Sequence, residues 1–306
     1  MSALRLGSRR SPMAMAQSRQ VADMITERTG RPVKIVGVAT QGDVSRAHLT
    51  QIGGTGVFVS ALREALLGGE LDLAVHSLKD LPAEAAPGIV LAAVPPRDDP
   101  RDALVARDGA KLADMPSGAR IGTGSPRRAA QLLAIRADLR CVPIRGNAGT
   151  RLAKVGAGEL DGVVLACAGL ARIGYATAIT QLFGSGEMIP APGQGVLAVE
   201  CRAGEPELTA LLGAVTDPAS MAAVTAERSL LEALAAGCST PVAAYAGDAD
   251  PLRMRAAVMS ADGSRVLRAR GGAPAAMARQ LGQDLAVELL RSGAGDLVSV
   301  NGDHMQ

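Results

Sequence analysis

Short apolar runs, separated by polar glycine-bearing turns, recur along this chain, and longer stretches with helical apolar spacing lie between several of them. Such short runs bounded by turn residues read as buried strands. They predict strands over 4–6, 33–39, 73–75, 89–94 and 103–106. Helical spacing predicts helices over 12–29 and 57–67. Ser11 followed by Pro12 is a helix start, and Gly30 is a stop. The polar stretch 40–56 is long for a connection and carries Gly53, Gly54 and Gly56, which predicts a functional lid. Residues 95–102 read as a crossover linker and the first domain boundary.

The pattern then repeats. Residues 120–131 resemble 5–17: strand, glycine turn, Ser-Pro cap and helix, with arginines at the turn. Residues 69–75 match 158–164 through Gly-Glu-Leu-Asp. Two echoes in the same order predict two similar βα domains facing a shared cleft. Beyond them, Pro190 to Gly195 is a rigid turn before a strand at 196–201, and 205–215 is helical. Asp217-Pro218 breaks the chain into a last region with a helix over 221–236 capped by Gly237. Strands at 242–246, 252–258 and 265–270, an Asp262-Gly263 hairpin turn and a helix over 274–291 make that region α+β.

Composition narrows the chemistry. A net charge of +2, two Tyr, two Phe and no Trp argue against nucleic acid as a partner. The longest apolar runs, 89–94 and 163–168, are too short to span a bilayer, and the N-terminus has no apolar signal core. A cytoplasmic protein with no membrane partner is expected. The four cysteines form no CxxC pair and no zinc pattern, so no metal is expected. Cys141, Cys167 and Cys201 sit in or beside apolar runs as small core residues. Cys238 instead lies on a short polar loop behind a helix C-terminus, where only neighbouring cations would activate a thiol.

The strand at 73–75 runs into His76, Ser77, Lys79 and Asp80. Ligands of open α/β sheets bind at the carboxyl ends of strands. Taken alone, His76 and Ser77 read as satisfying backbone groups, and Lys79 and Asp80 as a solvated pair before Pro82. Arginine outnumbers lysine 28 to 4, much of which GC-rich codon usage explains. It does not explain their placement. Arg9, Arg127, Arg128, Arg145, Arg151 and Arg172 all fall at or just after predicted strand ends. Arginine forks suit carboxylates, and the phosphate-binding loop pattern is missing, so a ligand with several carboxylates is expected.

Taken together, these motifs resemble the porphobilinogen deaminase (hydroxymethylbilane synthase) family over essentially the whole chain. The carrying residues are Gly7-Ser8-Arg9 with Ser11-Pro12, residues 75–80, Asp99-Pro100-Arg101-Asp102-Ala103, Arg127-Arg128, Arg145-Gly146-Asn147 with Gly149-Thr150-Arg151, Pro192-Gly193-Gln194-Gly195, Thr225-Ala226-Glu227-Arg228 and Gly237-Cys238. The resemblance implies an α/β fold of two doubly wound, periplasmic-binding-protein-like domains plus a C-terminal α+β domain. Domain 1 is expected over 1–96 and 196–215, domain 2 over 97–195 and domain 3 over 216–306, with the strand at 196–201 returning to domain 1.

The resemblance also implies the reaction. Four porphobilinogens are condensed head to tail with loss of ammonia, and the chain is hydrolysed to hydroxymethylbilane. A dipyrromethane cofactor is bonded by a thioether to Cys238. Asp80 is the implied catalytic residue, steadying the pyrrole cation left when ammonia departs. Ser11, Lys79, Asp80, Thr123, Ser125, Arg127, Arg128, Arg145 and Gly146 are implied in cofactor binding. Arg9, Arg145, Arg151, Arg172, Gln194 and Phe58 are implied in substrate binding, with a core role for Phe58 as the alternative. A monomer is expected. Gln51 and Thr55 stand where many members carry lysine, and Gly124 where some carry serine. A two-domain anion receptor and an inactive paralogue are the competing readings. Cys238 and its domain, and the missing signal core, count against the receptor.

Overall fold

The structure is a computed structural model and describes residues 2–39, 59–236, 240–247 and 250–299. The predicted lid with Gln51, Thr55 and Phe58, and the loop carrying Gly237 and Cys238, lie outside the described residues. The chain begins β1 (Leu4–Arg9), α1 (Pro12–Thr29), β2 (Val33–Val38), α2 (Ser60–Leu67), β3 (Leu73–Ser77) and β4 (Ile89–Ala93). It continues β5 (Asp102–Ala106), β6 (Arg120–Gly122), α3 (Pro126–Ile135), β7 (Arg140–Val142), α4 (Ala148–Gly156), β8 (Gly162–Ala166), α5 (Cys167–Arg172) and β9 (Gln181–Leu182). It ends β10 (Leu197–Arg202), α6 (Pro206–Gly213), α7 (Pro218–Ala233), β11 (Val242–Gly247), β12 (Leu252–Met259), β13 (Val266–Ala273), α8 (Ala278–Arg291) and α9 (Ala294–Ser299).

Two compact units result: Met1–Asp98 with Gly195–Met221, and Asp99–Gln194 with Ala222–Gln306. The first holds a five-stranded sheet in the order β2-β1-β3-β10-β4. The second holds a sheet in the order β7-β6-β8-β5-β9 and the small sheet β11-β12-β13. In each large sheet three parallel strands are followed by an antiparallel one, β10 or β5. The fold is mixed α/β, with two sheets of the doubly wound type and a third small sheet. The strand at 197–202 is inserted between β3 and β4 of the first sheet.

The sequence echoes have a physical basis. Asp72 accepts from the backbone N–H of Arg5 at 2.7 Å and pairs with its guanidinium. Asp161 does the same for Arg120, accepting from its N–H at 2.8 Å. A methyl group at Gly7 would collide with Leu71, and one at Gly122 with Leu160. The repeated Gly and Leu-Asp are therefore what closes β1 against the lead-in to β3 and β6 against the lead-in to β8. Leu6, Ile25, Leu73 and Val199 pack in one core, Leu104, Ile121, Leu132 and Phe183 in another, and the β11–β13 sheet has its own core against α7 and α8.

Boundaries shift where local signals are weak. β1 and β3 run further than their apolar runs, to Arg9 and Ser77. The linker reading ends early, since Asp102 is the first residue of β5. The helix after Asp217 begins at Pro218, and β9 and α9 add elements that the sequence pattern did not mark. No single described helix is long and apolar enough to cross a membrane.

Candidate active site

In the first unit, β1 and β3 are parallel neighbours, so their carboxyl ends lie at one edge of the sheet. Arg9 closes β1, and Ser11 caps α1 by accepting from Ala14 N–H at 3.2 Å. Lys79 and Asp80 form a short 3-10 turn directly after β3. Lys79 is half-buried and Asp80 exposed. This edge therefore brings Arg9, Ser11, Lys79 and Asp80 together by topology.

Beneath it lies a charge cluster that sequence reasoning missed. Glu200 of β10 takes Arg63 of α2 as a bidentate partner at 2.6 and 3.0 Å. His76 Nε2 stands 3.3 Å from Glu200 Oε2, close enough for an ion pair but outside hydrogen-bond geometry. His76 thus has a structural place, but beside a buried carboxylate rather than on the backbone groups its local sequence suggested. Burial pushes the Glu200 carboxyl up, but the adjacent His76 and Arg63 outweigh this and hold it at about 2. A lone glutamate inside the apolar run 196–201 was the readable signal, because buried charges need partners.

In the second unit the corresponding edge lies at the carboxyl ends of β6, β7 and β8. After β6, the backbone N–H of Ser125 donates to Thr123 Oγ1, and Ser125 caps α3 by accepting from Arg128 N–H at 3.4 Å. Gly124 is required there: a Cβ would stand 2.7 Å from the Ile144 carbonyl oxygen. The glycine noted as a departure from some relatives thus fits this chain's own backbone spacing. After β7 come Arg145, Gly146 at φ +96° and, in the first turn of α4, Arg151, whose Nε donates to Gly146 O at 2.9 Å. Arg145 and Gly146 are exposed, whereas Arg151 and Arg172 are half-buried.

Arg127 and Arg128 are not exposed rim charges. Both are buried, drawn inward by Asp102, which is fully buried. Arg128 Nε donates to Asp102 Oδ1 at 2.8 Å, and Arg127 Nη1 stands 2.8 Å from Oδ2. Arg127 Nη1 also donates to Ile189 O at 2.6 Å. Burial raises the Asp102 carboxyl, but the charges of Arg127 and Arg128 overwhelm that and hold it well below the carboxylate range. Gln194 completes the cluster. Its Nε2 donates to Asp102 Oδ1 and Pro100 O, and its Oε1 accepts from Arg128 Nη2 at 3.2 Å. The Gln194 amide is therefore engaged within the protein, fixing Arg128. The turn that carries it is held by Glu227, fully buried in α7, which accepts from Gly193 N–H at 2.5 Å and Ala246 N–H at 2.8 Å.

Two guanidinium groups facing one carboxylate leave an excess positive charge inside the unit. Arg151 adds to it: burial, and then the like charge of Arg128, push its guanidinium below its ordinary value. Arg127 Nε is buried with no hydrogen-bond partner. Excess buried charge and an unused donor fit a group bearing carboxylates, such as a dipyrromethane with acidic side chains. Among the described residues no group of three or more His, Cys, Asp or Glu side chains is placed to hold a metal ion.

Residues 4–210 match the family described as "Porphobilinogen deaminase, dipyromethane cofactor binding domain", and residues 221–291 match "Porphobilinogen deaminase, C-terminal domain". The chain is similar to porphobilinogen deaminase of Thermobifida fusca, at 57% identity covering 96% of this chain and 95% of that one. It is also similar to porphobilinogen deaminase 1 of Streptomyces coelicolor, at 54% identity covering 97% of each. Among solved structures, a periplasmic substrate-binding protein of an ABC transporter from Coxiella burnetii aligns with a TM-score of 0.44 at 17% identity, over 71% of this chain and 94% of that one. With two adjoining family domains matched and such relatives aligned nearly end to end, this chain belongs to the porphobilinogen deaminase family.

Proposed function

We propose that the strand-end residues of both units carry the family's reaction, the polymerisation of porphobilinogen into hydroxymethylbilane in tetrapyrrole biosynthesis. The observation that carries this reading is the excess positive charge around Asp102, Arg127, Arg128 and Arg151. The family's dipyrromethane cofactor, bonded by a thioether to Cys238, supplies the pyrrole terminus from which the chain grows.

In this reading Arg127, Arg128, Arg145 and Lys79 bind cofactor carboxylates, helped by the hydroxyls of Ser11, Thr123 and Ser125 and the backbone of Gly146. Arg9, Arg145, Arg151 and Arg172 bind the acetate and propionate groups of incoming substrate. Phe58 packs on a pyrrole face. Gln194 serves by holding Arg128 in place, since its amide is already engaged. Asp80 is the catalytic carboxylate. In its acid form it passes a proton to the leaving amine, and the carboxylate that results steadies the positive charge left on the substrate pyrrole when ammonia departs. Its place at the carboxyl end of β3 and its exposure support that role. The chain divides into domain 1 (1–96 and 196–215), domain 2 (97–195) and domain 3 (216–306). It works as a cytoplasmic monomer, without nucleic acid or membrane partners.

Intact mass of the purified protein tests the attachment. Wild type should carry a covalent dipyrromethane adduct, and Cys238→Ser should not. A wild type that stays unmodified and silent with porphobilinogen would overturn the reading.

A further inference from the structure

The β11–β13 sheet has two unlike faces. Ala244, Ala246, Met254 and Ala256 line one face, in the core with Leu230 of α7 and Leu285 of α8. On the other face, cross-strand partners stand in rows. The row Ala243–Ala257–Arg268 is small and apolar at its first two positions, where Ala130 and Ile189 pack on it. The next row is Tyr245–Arg255–Arg270, and the one after it Gly247–Arg253–Gly272. The two glycines put no side chain beside Arg253, so the sheet surface is hollow there. A cavity of about 740 Å³ opens over these rows, with Ser185 and Pro251 at its wall. That is within the roughly 300–1,000 Å³ of small-molecule sites.

The charged residues described along this hollow are Arg253, Arg255 and Arg270. Arg255 and Arg270 face each other directly across two strands, an arrangement that destabilises a sheet when nothing offsets it. No described carboxylate pairs with either, and among the described residues no acidic one lines the cavity. Arg255 Nη1 instead lies 3.4 Å from Ser185 Oγ. Guanidinium forks bind carboxylate or phosphate bidentately. Direct cross-strand partners sit about 5 Å apart and alternate residues about 7 Å apart. Arg255 and Arg270 on that grid match two acidic groups on one small molecule.

We propose that this cavity is an anion site for a small molecule bearing at least two carboxylate or phosphate groups. It is built from none of the residues assigned to cofactor or substrate.

Calorimetric titration of the cofactor-loaded enzyme at low salt tests this, with inorganic tripolyphosphate and tricarballylate as probes. At least one probe should bind saturably with a Kd below ~1 mM. The tighter probe tells phosphate from carboxylate ligands. An Arg255→Gln/Arg270→Gln variant should bind at least about tenfold more weakly, since it loses two charge-assisted contacts. Both side chains are exposed, so the fold should survive the change. Failure of both probes to saturate, or unchanged affinity in the variant, would make the patch a solvated basic face and end the proposal.

Discussion

Arg128 and Asp102, 26 positions apart, meet at 2.8 Å, both of them buried. Arg127 shares the same carboxylate. Asp102 therefore neutralises one charge of two and aims both guanidinium groups. In the proposed reading it acts on the ligand through the arginines.

Asp102→Asn should be strongly destabilising. It leaves two buried guanidinium groups without a counter-charge, and breaking a buried pair costs about 3–5 kcal/mol. Urea unfolding of the purified variant measures this. A loss under about 1 kcal/mol would mean that the arginines do not depend on Asp102.

Glu200 makes stability depend on acid. Its folded carboxyl sits at about 2 against an ordinary 4.5, so the folded state favours the ionised form. The contribution is fully present above pH 4.5 and is lost as pH falls towards 2. It amounts to about 3 kcal/mol. The stability gap between wild type and Glu200→Gln should therefore narrow over that window, as read by denaturant melts at several pH values. A gap that stays constant down to pH 2 would remove Glu200 as the titrating group.

Asp80→Ala should separate activity from stability. The side chain is exposed, so unfolding should move by no more than about 0.5 kcal/mol. Turnover should fall by about 10²-fold or more, the usual worth of a positioned charge or proton-transfer group. Porphobilinogen consumption assays decide it, and rates near wild type would take Asp80 out of the reaction.

Arg151→Leu should also lose turnover, with elongation stalling before the chain is complete. Unlike the Asp102 change, it should not destabilise the fold, because it removes a cation crowded by Arg128. Native mass spectra following substrate addition should show accumulated short intermediates. A complete set of products at normal rate would rule out a carboxylate-binding role.

Much of this was readable because it is local. Ser11 and Ser125 cap helices where a Ser-Pro pair said they would. The Gly-Glu-Leu-Asp echo holds because Asp72 and Asp161 perform the same task one strand away. What escaped was long-range. Asp102 looked like the tail of a charged linker, and only tertiary packing brings it to Arg127 and Arg128. Glu227 lies on the apolar face of its helix between Val224 and Leu231, a hint that it is buried, but its partners Gly193 and Ala246 come from segments that no periodicity connects. Arg127 and Arg128 were placed at a strand end, but their burial was not legible, because sequence does not show which way a side chain turns.

The position of β10 governs how this protein can be made. It fills the gap between β3 and β4, yet more than a hundred residues separate it from either along the chain. During synthesis the first 98 residues emerge with both of those strands missing a neighbour. Unpaired strand edges invite wrong partners. The first unit must stay in that state until the stretch through Gln194 has left the ribosome. Truncation before Leu197 would leave an open sheet rather than a smaller domain. Slow translation through the middle of the chain would prolong the interval in which the protein is most prone to aggregate.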